Sequence, residues 1–269
     1  MIREFPSRLV LLGSDVTNSL SPIFQRAALE AAGISMSYDA LNVAPGALDR
    51  VTEEIRRDRI AGNVTRPHKV AFHDACDVLT PIARKVGAVN TFWIEQGLLH
   101  GDNTDVEGFA YAAQDLIGDN VSGADVLVLG AGGAAAAVLT AVEHWSGSKA
   151  TVVSRSIAKS RALAARFPGV AAAGADAPEA AARASLIVNA TPAGQHDDQF
   201  PLGLDAVPRS AAVIDLVYRR GETAWVRSLR AQGNVARDGM AMLLEQGALS
   251  FTRWFGKEPD REAMRRSVL

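Results

Sequence analysis

The chain has 269 residues, of which 48% are hydrophobic and 22% are charged, and its formal net charge is −2. This length accommodates one large domain or two of ordinary size. The near-neutral charge argues against nucleic acid or an anionic membrane as a partner, because both are bound through a strongly basic surface. Cys76 is the only cysteine, so the chain has no internal disulfide, which favours a reducing compartment.

Two stretches bear on targeting. Residues 1–6 contain no long apolar core, so we expect no signal peptide and a cytoplasmic protein. The longest uncharged run covers roughly 17 residues, 126–142, which is short for a membrane span and is rich in glycine and alanine. We therefore expect no membrane partner.

Strand and helix signals alternate through the first part of the chain. A short apolar run at 8–13 ends in a glycine and predicts a strand. A helix is predicted to begin at Pro22 with Ser21 as its N-cap and to stop at Gly33. Further strands are predicted at 36–43 and 60–64, with a helix at 48–57 between them. This alternation indicates a mostly parallel sheet covered by helices.

A second α/β unit begins near residue 125. The continuous apolar run 126–129 predicts a strand buried on both faces, followed by a glycine-rich turn and a long helix. The alanine-rich stretch 170–184 is interpreted as loop and helix. The remaining predictions are strands at 150–153, 185–189 and 211–215 and a buried helix at 240–255, which we expect to pack on the first unit.

The glycine-rich turn has the pattern of a dinucleotide-binding loop. Gly130, Gly132 and Ala135 match G-x-G-x-x-G/A between a predicted strand and a predicted helix. In such loops the first glycine permits a tight turn and the second lets the backbone approach a pyrophosphate at the helix N-terminus. The predicted cofactor-binding residues of this loop are Gly130, Ala131, Gly132, Gly133 and Ala134.

The end of the next strand favours NADP over NAD. NAD enzymes usually place an acidic residue there for the ribose hydroxyls, but no acidic residue lies between Thr151 and Arg166. Arg155 can instead clamp a 2′-phosphate, although a solvated surface arginine is the alternative. The predicted phosphate-binding residues are Ser154, Arg155, Ser156 and Lys159.

Four polar segments of the first half carry a resemblance to a known family. They read S-L-S-P at 19–22, N-V-T-R-P-H-K at 63–69, G-A-V-N-T at 87–91 and G-D-N-T-D at 101–105. In this order they resemble the shikimate dehydrogenases. The resemblance continues through the segments 130–134, 189–191, 215–218 and 238–243 and through Gln246, so that it covers nearly the whole chain.

The resemblance implies that Lys69 is catalytic and that Asp105 is its partner. Ketone reduction needs a hydride and a proton, and an ammonium group can polarise the carbonyl and donate that proton. Arginine could not do so, because it retains its proton. Only five of the 28 basic residues are lysine, so a lysine at position 69 is consistent with this chemical need.

The same resemblance assigns residues to the substrate and to the nicotinamide. Ser19 and Ser21 would bind the substrate carboxylate, although Ser21 has N-capping as an alternative or additional role. Tyr218 would lie at the cleft, and an ordinary role as an aromatic side chain of the core is the alternative. Thr191, Leu216 and Gly239 match cofactor positions. The residues implied around the substrate hydroxyls are Asn63, Thr65, Asn90, Asp105 and Gln246.

Three positions depart from the family pattern. Asp15 and Asn18 stand where the family commonly has proline and histidine, and Arg66 replaces an aliphatic residue. Asp15 and Arg66 could pair with each other or alter what the site accepts. These departures leave open a paralogue that prefers quinate or another cyclitol acid, and a non-catalytic ligand sensor is a third alternative.

We therefore predict an α/β protein of two domains with a cleft between them. Residues 1–105 and 239–269 would form the substrate-binding domain, and residues 106–238 a Rossmann-like NADP-binding domain. The expected reaction is the reversible reduction of 3-dehydroshikimate to shikimate with NADPH, in aromatic amino-acid and chorismate biosynthesis. The five histidines show no metal-ligand spacing, so we expect no catalytic metal, and we expect a monomer or a homodimer.

Overall fold

The computed structural model describes residues 5–219 and 221–269. The chain divides into two compact units. The first contains the described residues up to Asp105 together with Leu243–Leu269, and the second contains Val106–Met242. No helix formed by the described residues is both long and apolar enough to cross a membrane.

Within the described residues, each unit is built on one six-stranded sheet. The strands are β1 (Leu9–Gly13), β2 (Tyr38–Asn42), β3 (Ala61–Val64), β4 (Val78–Leu79), β5 (Thr91–Glu95), β6 (Leu98–Asp102), β7 (Asp125–Leu129), β8 (Lys149–Val153), β9 (Ala171–Ala173), β10 (Leu186–Asn189), β11 (Ala212–Asp215) and β12 (Ala236–Arg237). The helices are α1 (Ser21–Ala31), α2 (Leu48–Asp58), α3 (Lys69–Ala75), α4 (Pro81–Val86), α5 (Asp105–Ile117), α6 (Gly133–Val142), α7 (Ile157–Ala164), α8 (Ala177–Ala181), α9 (Ala224–Gln232), α10 (Met240–Phe255) and α11 (Arg261–Arg266).

The sheet of the first unit is mixed, with strand order β2-β1-β3-β5-β6-β4. Strand β5 runs antiparallel to both β3 and β6. Its hairpin with β6 turns through Gln96 and Gly97, both at positive φ, and so short a turn can join only antiparallel strands. The register aligns Asn63 with Thr91 and Thr91 with Asp102. The ends of β3 and β6 and the start of β5 therefore share one edge of this sheet.

The sheet of the second unit is entirely parallel, with strand order β12-β11-β10-β7-β8-β9. This is the doubly wound order of dinucleotide-binding folds, and the chain reverses its direction of winding between β7 and β10. All four residues of β10 and of β11 are buried, as expected for a sheet covered on both faces. Ligands bind such sheets at the carboxyl ends of the strands next to this reversal.

Two local predictions were wrong. Helix α1 begins at Ser21 itself, with Leu20 in the N-cap position, and the Ser19 hydroxyl accepts the backbone N–H of Ser21 at 3.2 Å. The alanine-rich stretch contains strand β9 in addition to helix α8. Strand β9 pairs with β8, and this tertiary pairing overrides the weak strand preference of alanine.

Candidate active site

Lys69 and Asp105 meet at the shared edge of the first sheet. Lys69 is the first residue of α3 and Asp105 the first residue of α5. The Lys69 Nζ lies 2.6 Å from Asp105 Oδ2, and their side chains are 20% and 8% exposed. At this distance the contact is a charge-assisted hydrogen bond. The ammonium group is held in place and still reaches solvent or a ligand.

Asn90 orients the Asp105 carboxylate from the other side. Its Nδ2 donates to Asp105 Oδ1 at 2.9 Å, while its Oδ1 accepts the backbone N–H of Thr104 at 2.8 Å. The Thr104 contact determines which end of the amide faces Asp105. Asn90 Nδ2 also lies 3.3 Å from Gln246 Oε1, so the structure brings these predicted site residues into one hydrogen-bonded cluster.

Asn63, which is predicted to lie near the substrate hydroxyls, is buried in a second hydrogen-bonded cluster. Its Oδ1 accepts from the Tyr38 hydroxyl at 2.8 Å, and its Nδ2 donates to Ser250 Oγ at 2.9 Å and Thr91 Oγ1 at 3.0 Å. All four side chains are buried. Thr91 and Ser250 were not predicted as site residues. Ser250 lies one helical turn after Gln246, and that spacing was the signal available in the sequence.

The remaining predicted substrate residues are distributed over both units. Ser21 is buried, while Ser19 and Thr65 are half-buried. The Thr65 backbone N–H donates to Leu12 O at 2.8 Å, which anchors this turn to β1. Tyr218 is half-buried and belongs to the second unit.

The glycine loop between β7 and α6 has the geometry of a dinucleotide cradle. Gly130 has φ +114°, and a Cβ there would lie 2.8 Å from Ala190 O, so only glycine fits without strain. At Gly132, the N-cap of α6, an added Cβ would meet nothing within 4 Å. Unfilled space next to a helix N-terminus suits a pyrophosphate. Ala131, Gly133 and Ala134 complete this loop and are half-buried.

The predicted phosphate-binding segment lies between β8 and α7. Arg155 and Lys159 are exposed, and Arg155 forms no ion pair with any residue in 5–219 or 221–269. Ser156 caps α7 by accepting the backbone N–H of Lys159 at 3.4 Å. Ser154 donates to Ser156 O at 2.9 Å. The segment therefore presents two cations beside a helix N-terminus.

Three loops of the second unit carry the predicted cofactor residues Thr191, Leu216 and Gly239. The loops of Leu216 and Gly239 contact each other, and the loops of Thr191 and Leu216 are bonded to the buried pair Asn189 and Asp215. A Cβ on Gly239 would lie 2.4 Å from Leu216 O, so the two backbones touch. Asn189 and Asp215, which carried no predicted role, are fully buried between these loops. Burial raises the pKa of Asp215, and hydrogen bonds from Thr223 and Asn189 oppose that shift.

Among the described residues, no three His, Cys, Asp or Glu side chains are grouped so that they could hold a metal ion.

Comparisons with known proteins match the chain along most of its length. The model of the shikimate dehydrogenase substrate binding domain matches residues 11–92. The model described as shikimate / quinate 5-dehydrogenase matches residues 112–197, and that of the shikimate 5′-dehydrogenase C-terminal domain matches residues 239–269.

Individual relatives agree with the family models. The shikimate dehydrogenase (NADP(+)) of Methylobacterium radiotolerans is 39% identical over 261 residues, which cover 94% of this chain and 92% of that protein. The shikimate dehydrogenase structure from Aquifex aeolicus has a TM-score of 0.91 at 32% identity and covers 100% of this chain and 99% of its own. The Thermus thermophilus shikimate 5-dehydrogenase in complex with NADP(H) and shikimate has a TM-score of 0.87 at 36% identity, covering 97% and 98%. The chain belongs to the shikimate dehydrogenase family.

Proposed function

We propose that the chain is an NADP-dependent shikimate dehydrogenase, which reversibly reduces 3-dehydroshikimate to shikimate. The observation that carries the proposal is the Lys69–Asp105 ion pair, 2.6 Å long and oriented by Asn90. Names of relatives support the substrate and the cofactor, since the Methylobacterium protein is a shikimate dehydrogenase (NADP(+)) and the Thermus structure holds NADP(H) and shikimate.

Lys69 supplies the proton in this proposal. NADPH, when bound, supplies the hydride to the carbonyl carbon. The Lys69 ammonium donates a hydrogen bond to the carbonyl oxygen and transfers a proton to it as negative charge develops there. Asp105 holds the ammonium group in position and stabilises its positive charge before transfer. In the reverse direction the neutral amine takes the proton from the hydroxyl.

Polar side chains around this pair bind the substrate. Ser19 and Ser21 stand at the start of α1, where two hydroxyls and the helix dipole favour a carboxylate. Thr65, Asn90 and Gln246 offer donors and acceptors to the ring hydroxyls. Asn63 is proposed as a further substrate residue, and its hydrogen bonds to Tyr38 and Ser250 fix the orientation of its amide.

The second unit holds the cofactor in this proposal. The space beside Gly132 and the close packing of Gly130 on Ala190 fit a dinucleotide pyrophosphate. Arg155 and Lys159 provide the positive charge for a 2′-phosphate, and Arg155 can bind it through two parallel hydrogen bonds. Thr191, Leu216 and Gly239 line the other end of the cofactor.

Initial rates test the proposal directly. Shikimate and quinate are each offered with NADP and with NAD, and the absorbance of the reduced nicotinamide is followed. We expect fast turnover of shikimate with NADP and slow turnover of the other three combinations. Absence of shikimate turnover, with NADP binding intact, would refute the substrate assignment. A Lys69→Ala variant with unchanged turnover would refute the catalytic assignment and favour a sensor.

A second candidate is a family member that prefers quinate or another cyclitol acid. Asp15 and Arg66 lie on neighbouring loops, since the backbone N–H of Ser14 donates to Arg66 O at 3.3 Å. A residue next to Thr65 that differs from the family pattern is well placed to change the preferred acid. Higher kcat/KM for quinate than for shikimate would favour this candidate over the first.

The monomeric or homodimeric state and the cytoplasmic location stay predictions. Light scattering of the purified protein and fractionation of the source cells would test them.

A further inference from the structure

A buried carboxylate joins the carboxyl ends of two neighbouring strands in the second unit. Asp215 ends β11 and Asn189 ends β10, and the two residues are direct partners in the register. Both are fully buried, and Asn189 Nδ2 donates to Asp215 Oδ1 at 2.8 Å. Asp215 also accepts the Val217 backbone N–H at 3.1 Å and the Thr223 hydroxyl at 2.8 Å. All three partners are donors, so they favour the ionised carboxylate.

The carboxylate determines the orientation of the Asn189 amide. Because Nδ2 points at Asp215, Oδ1 faces the next loop and accepts both the backbone N–H and the hydroxyl of Thr191, at 2.9 and 2.6 Å. With the amide reversed, its NH₂ group would face the Thr191 N–H, so that two donors would oppose each other. Asp215 Oδ1 at 2.8 Å is the nearer of two acceptors of Nδ2, since Ala193 O lies at 3.4 Å, and it reinforces the orientation that holds Thr191.

The loop that Asn189 holds lies against the dinucleotide cradle. If Gly130 carried a Cβ, that atom would lie 2.8 Å from Ala190 O and 3.3 Å from Thr191 Cγ2. A shift of this loop away from Gly130 is resisted by the Asn189 bonds. The position of Thr191 relative to the cradle therefore depends on the Asn189–Asp215 pair.

The same carboxylate holds a second loop. Its bond to the Val217 N–H fixes the turn that carries Leu216, and Val217 O in turn accepts the Gly239 N–H at 3.0 Å. Leu216 and Gly239 are close-packed. The Asp215 carboxylate is thus connected to all three loops that follow β10 and carry a predicted cofactor residue. It bonds directly to the Leu216 loop, and it reaches the Thr191 loop through Asn189 and the Gly239 loop through Val217.

We infer that Asp215 is a positioning residue for the dinucleotide, acting through Asn189 on Thr191 and through Val217 on Leu216. The inference rests on the proposed NADP cofactor. Asp215 itself is fully buried and is not assigned a contact with the cofactor. Its role is to maintain the spacing of the two loops. Its loss should therefore raise the dissociation constant for the dinucleotide more than it changes kcat of the enzyme with cofactor bound.

Four variants separate this role from general stability. Asn189→Ala removes the single oxygen that accepts both Thr191 donors without introducing a charge, and Asp215→Ala removes the carboxylate that bonds to both loops. Asp215→Asn keeps an oxygen for Asn189 and Val217 and presents its NH₂ group to Thr223, whose hydroxyl can accept. Thr223→Val removes a bond to the same carboxylate and the cap of α9, but leaves the bonds toward Thr191 and Leu216 in place.

The measurement is the dissociation constant for NADP by calorimetric titration, alongside thermal unfolding of each variant. We expect Asn189→Ala and Asp215→Ala to weaken NADP binding about tenfold, the scale of one well-placed hydrogen-bond network. Asp215→Asn and Thr223→Val should stay within about twofold, although Thr223→Val lowers the melting temperature. If Asp215→Ala does not fold, Asn189→Ala carries the comparison.

Unchanged binding by Asn189→Ala, or equal weakening by Thr223→Val, would overturn the inference. Titration needs no substrate, so its result is separate from the test of the proposed function. A wild-type protein that binds NADP without turning over shikimate refutes that function and leaves the positioning role to be decided by the variants. A wild-type protein that does not bind NADP overturns both.

Discussion

Replacing Lys69 with methionine removes the ammonium group, which is the proposed proton donor, and keeps an apolar chain of similar length to the alkyl part of lysine. The ammonium is 2.6 Å from Asp105 Oδ2, and no other amine belongs to the hydrogen-bonded cluster that Asn90 organises in the described part of the chain. General acid catalysis by one positioned group contributes roughly 10²- to 10⁴-fold, which is about 3 to 5 kcal/mol of transition-state stabilisation. We expect kcat for shikimate oxidation and for the reverse reduction to fall by that factor.

The loss should affect kcat more than KM. Several other side chains are proposed to hold the substrate, so we expect KM for shikimate to change by less than about tenfold. Methionine also leaves the Asp105 carboxylate, 8% exposed, with the Asn90 amide as its side-chain donor. An underpaired buried carboxylate costs about 1 to 3 kcal/mol, so the variant should unfold at a lower temperature than the wild type.

A double-variant cycle tests whether Asp105 acts through Lys69. Asp105→Asn alone should slow turnover about 10- to 100-fold, because an amide keeps a hydrogen bond to the ammonium but not its charge. If both residues serve one step, the Lys69→Met/Asp105→Asn protein will be about as slow as Lys69→Met alone. Multiplied effects would mean that the two residues contribute separately.

The assay is steady-state turnover at saturating shikimate and NADP, with Lys149→Ala as the matched control. Lys149 is exposed at the start of β8 in the second unit, so its loss should leave kcat unchanged. A Lys69→Met enzyme within about tenfold of the wild-type kcat would refute the assignment of Lys69 as the proton donor. An ionisation that is present in the pH profile of kcat of the wild type and absent from that of Lys69→Met would support the assignment.

Three further predictions follow from other regions. Arg155→Ala should raise KM for NADP about tenfold or more and KM for NAD by less than twofold, since only NADP carries the 2′-phosphate; equal changes in initial-rate measurements would contradict the assignment. The Arg56 hydrogen bond lowers the pKa of Asp77, so the pair stabilises the fold above the ordinary carboxyl pKa of about 4 and this stability is lost as pH falls through the lowered value. Asp77→Asn should therefore reduce the loss of the free energy of unfolding between neutral and acidic pH, by only about 0.5 kcal/mol because both side chains are one-third exposed. Urea unfolding at several pH values measures this loss, and a larger loss in the variant than in the wild type would contradict the prediction. Burial raises the pKa of Cys76 to about 12, which lowers the thiolate fraction at pH 8, although a thiolate of higher pKa is also more nucleophilic. A disulfide reagent should therefore modify the native thiol roughly 30- to 100-fold more slowly than the urea-unfolded one, and equal rates would contradict its burial.

The cofactor unit could be predicted from sequence because its signals are local. A buried strand, a glycine turn and a helix follow one another within residues 125–142, and the absence of acids around Arg155 is also visible in a short window. Each signal depends on residues that are neighbours in the chain. The doubly wound strand order was implied by the α/β pattern together with the family resemblance, and the structure confirms it.

Other features depended on contacts between distant residues. Ser21 is a residue type common at N-caps, but α1 begins at Ser21 and the buried Leu20 is in the N-cap position. The family resemblance implies that Asn63 lies near the substrate hydroxyls, and the fold adds that its amide bonds to Tyr38 and Ser250. Its partners are 25 and 187 residues away in the chain, so no local pattern pairs either of them with Asn63.

The kind of chemistry can be predicted from the amino-acid sequence, since the ordered motifs and a lysine at position 69 indicate hydride transfer with a proton donor. The contacts between side chains, in contrast, depend on how the chain folds. Asn189 and Asp215 lie 26 residues apart, and they meet because β10 and β11 pair in one register. That register is set by the burial of two whole strands, not by either polar residue, which is why the pair becomes visible only in the folded chain.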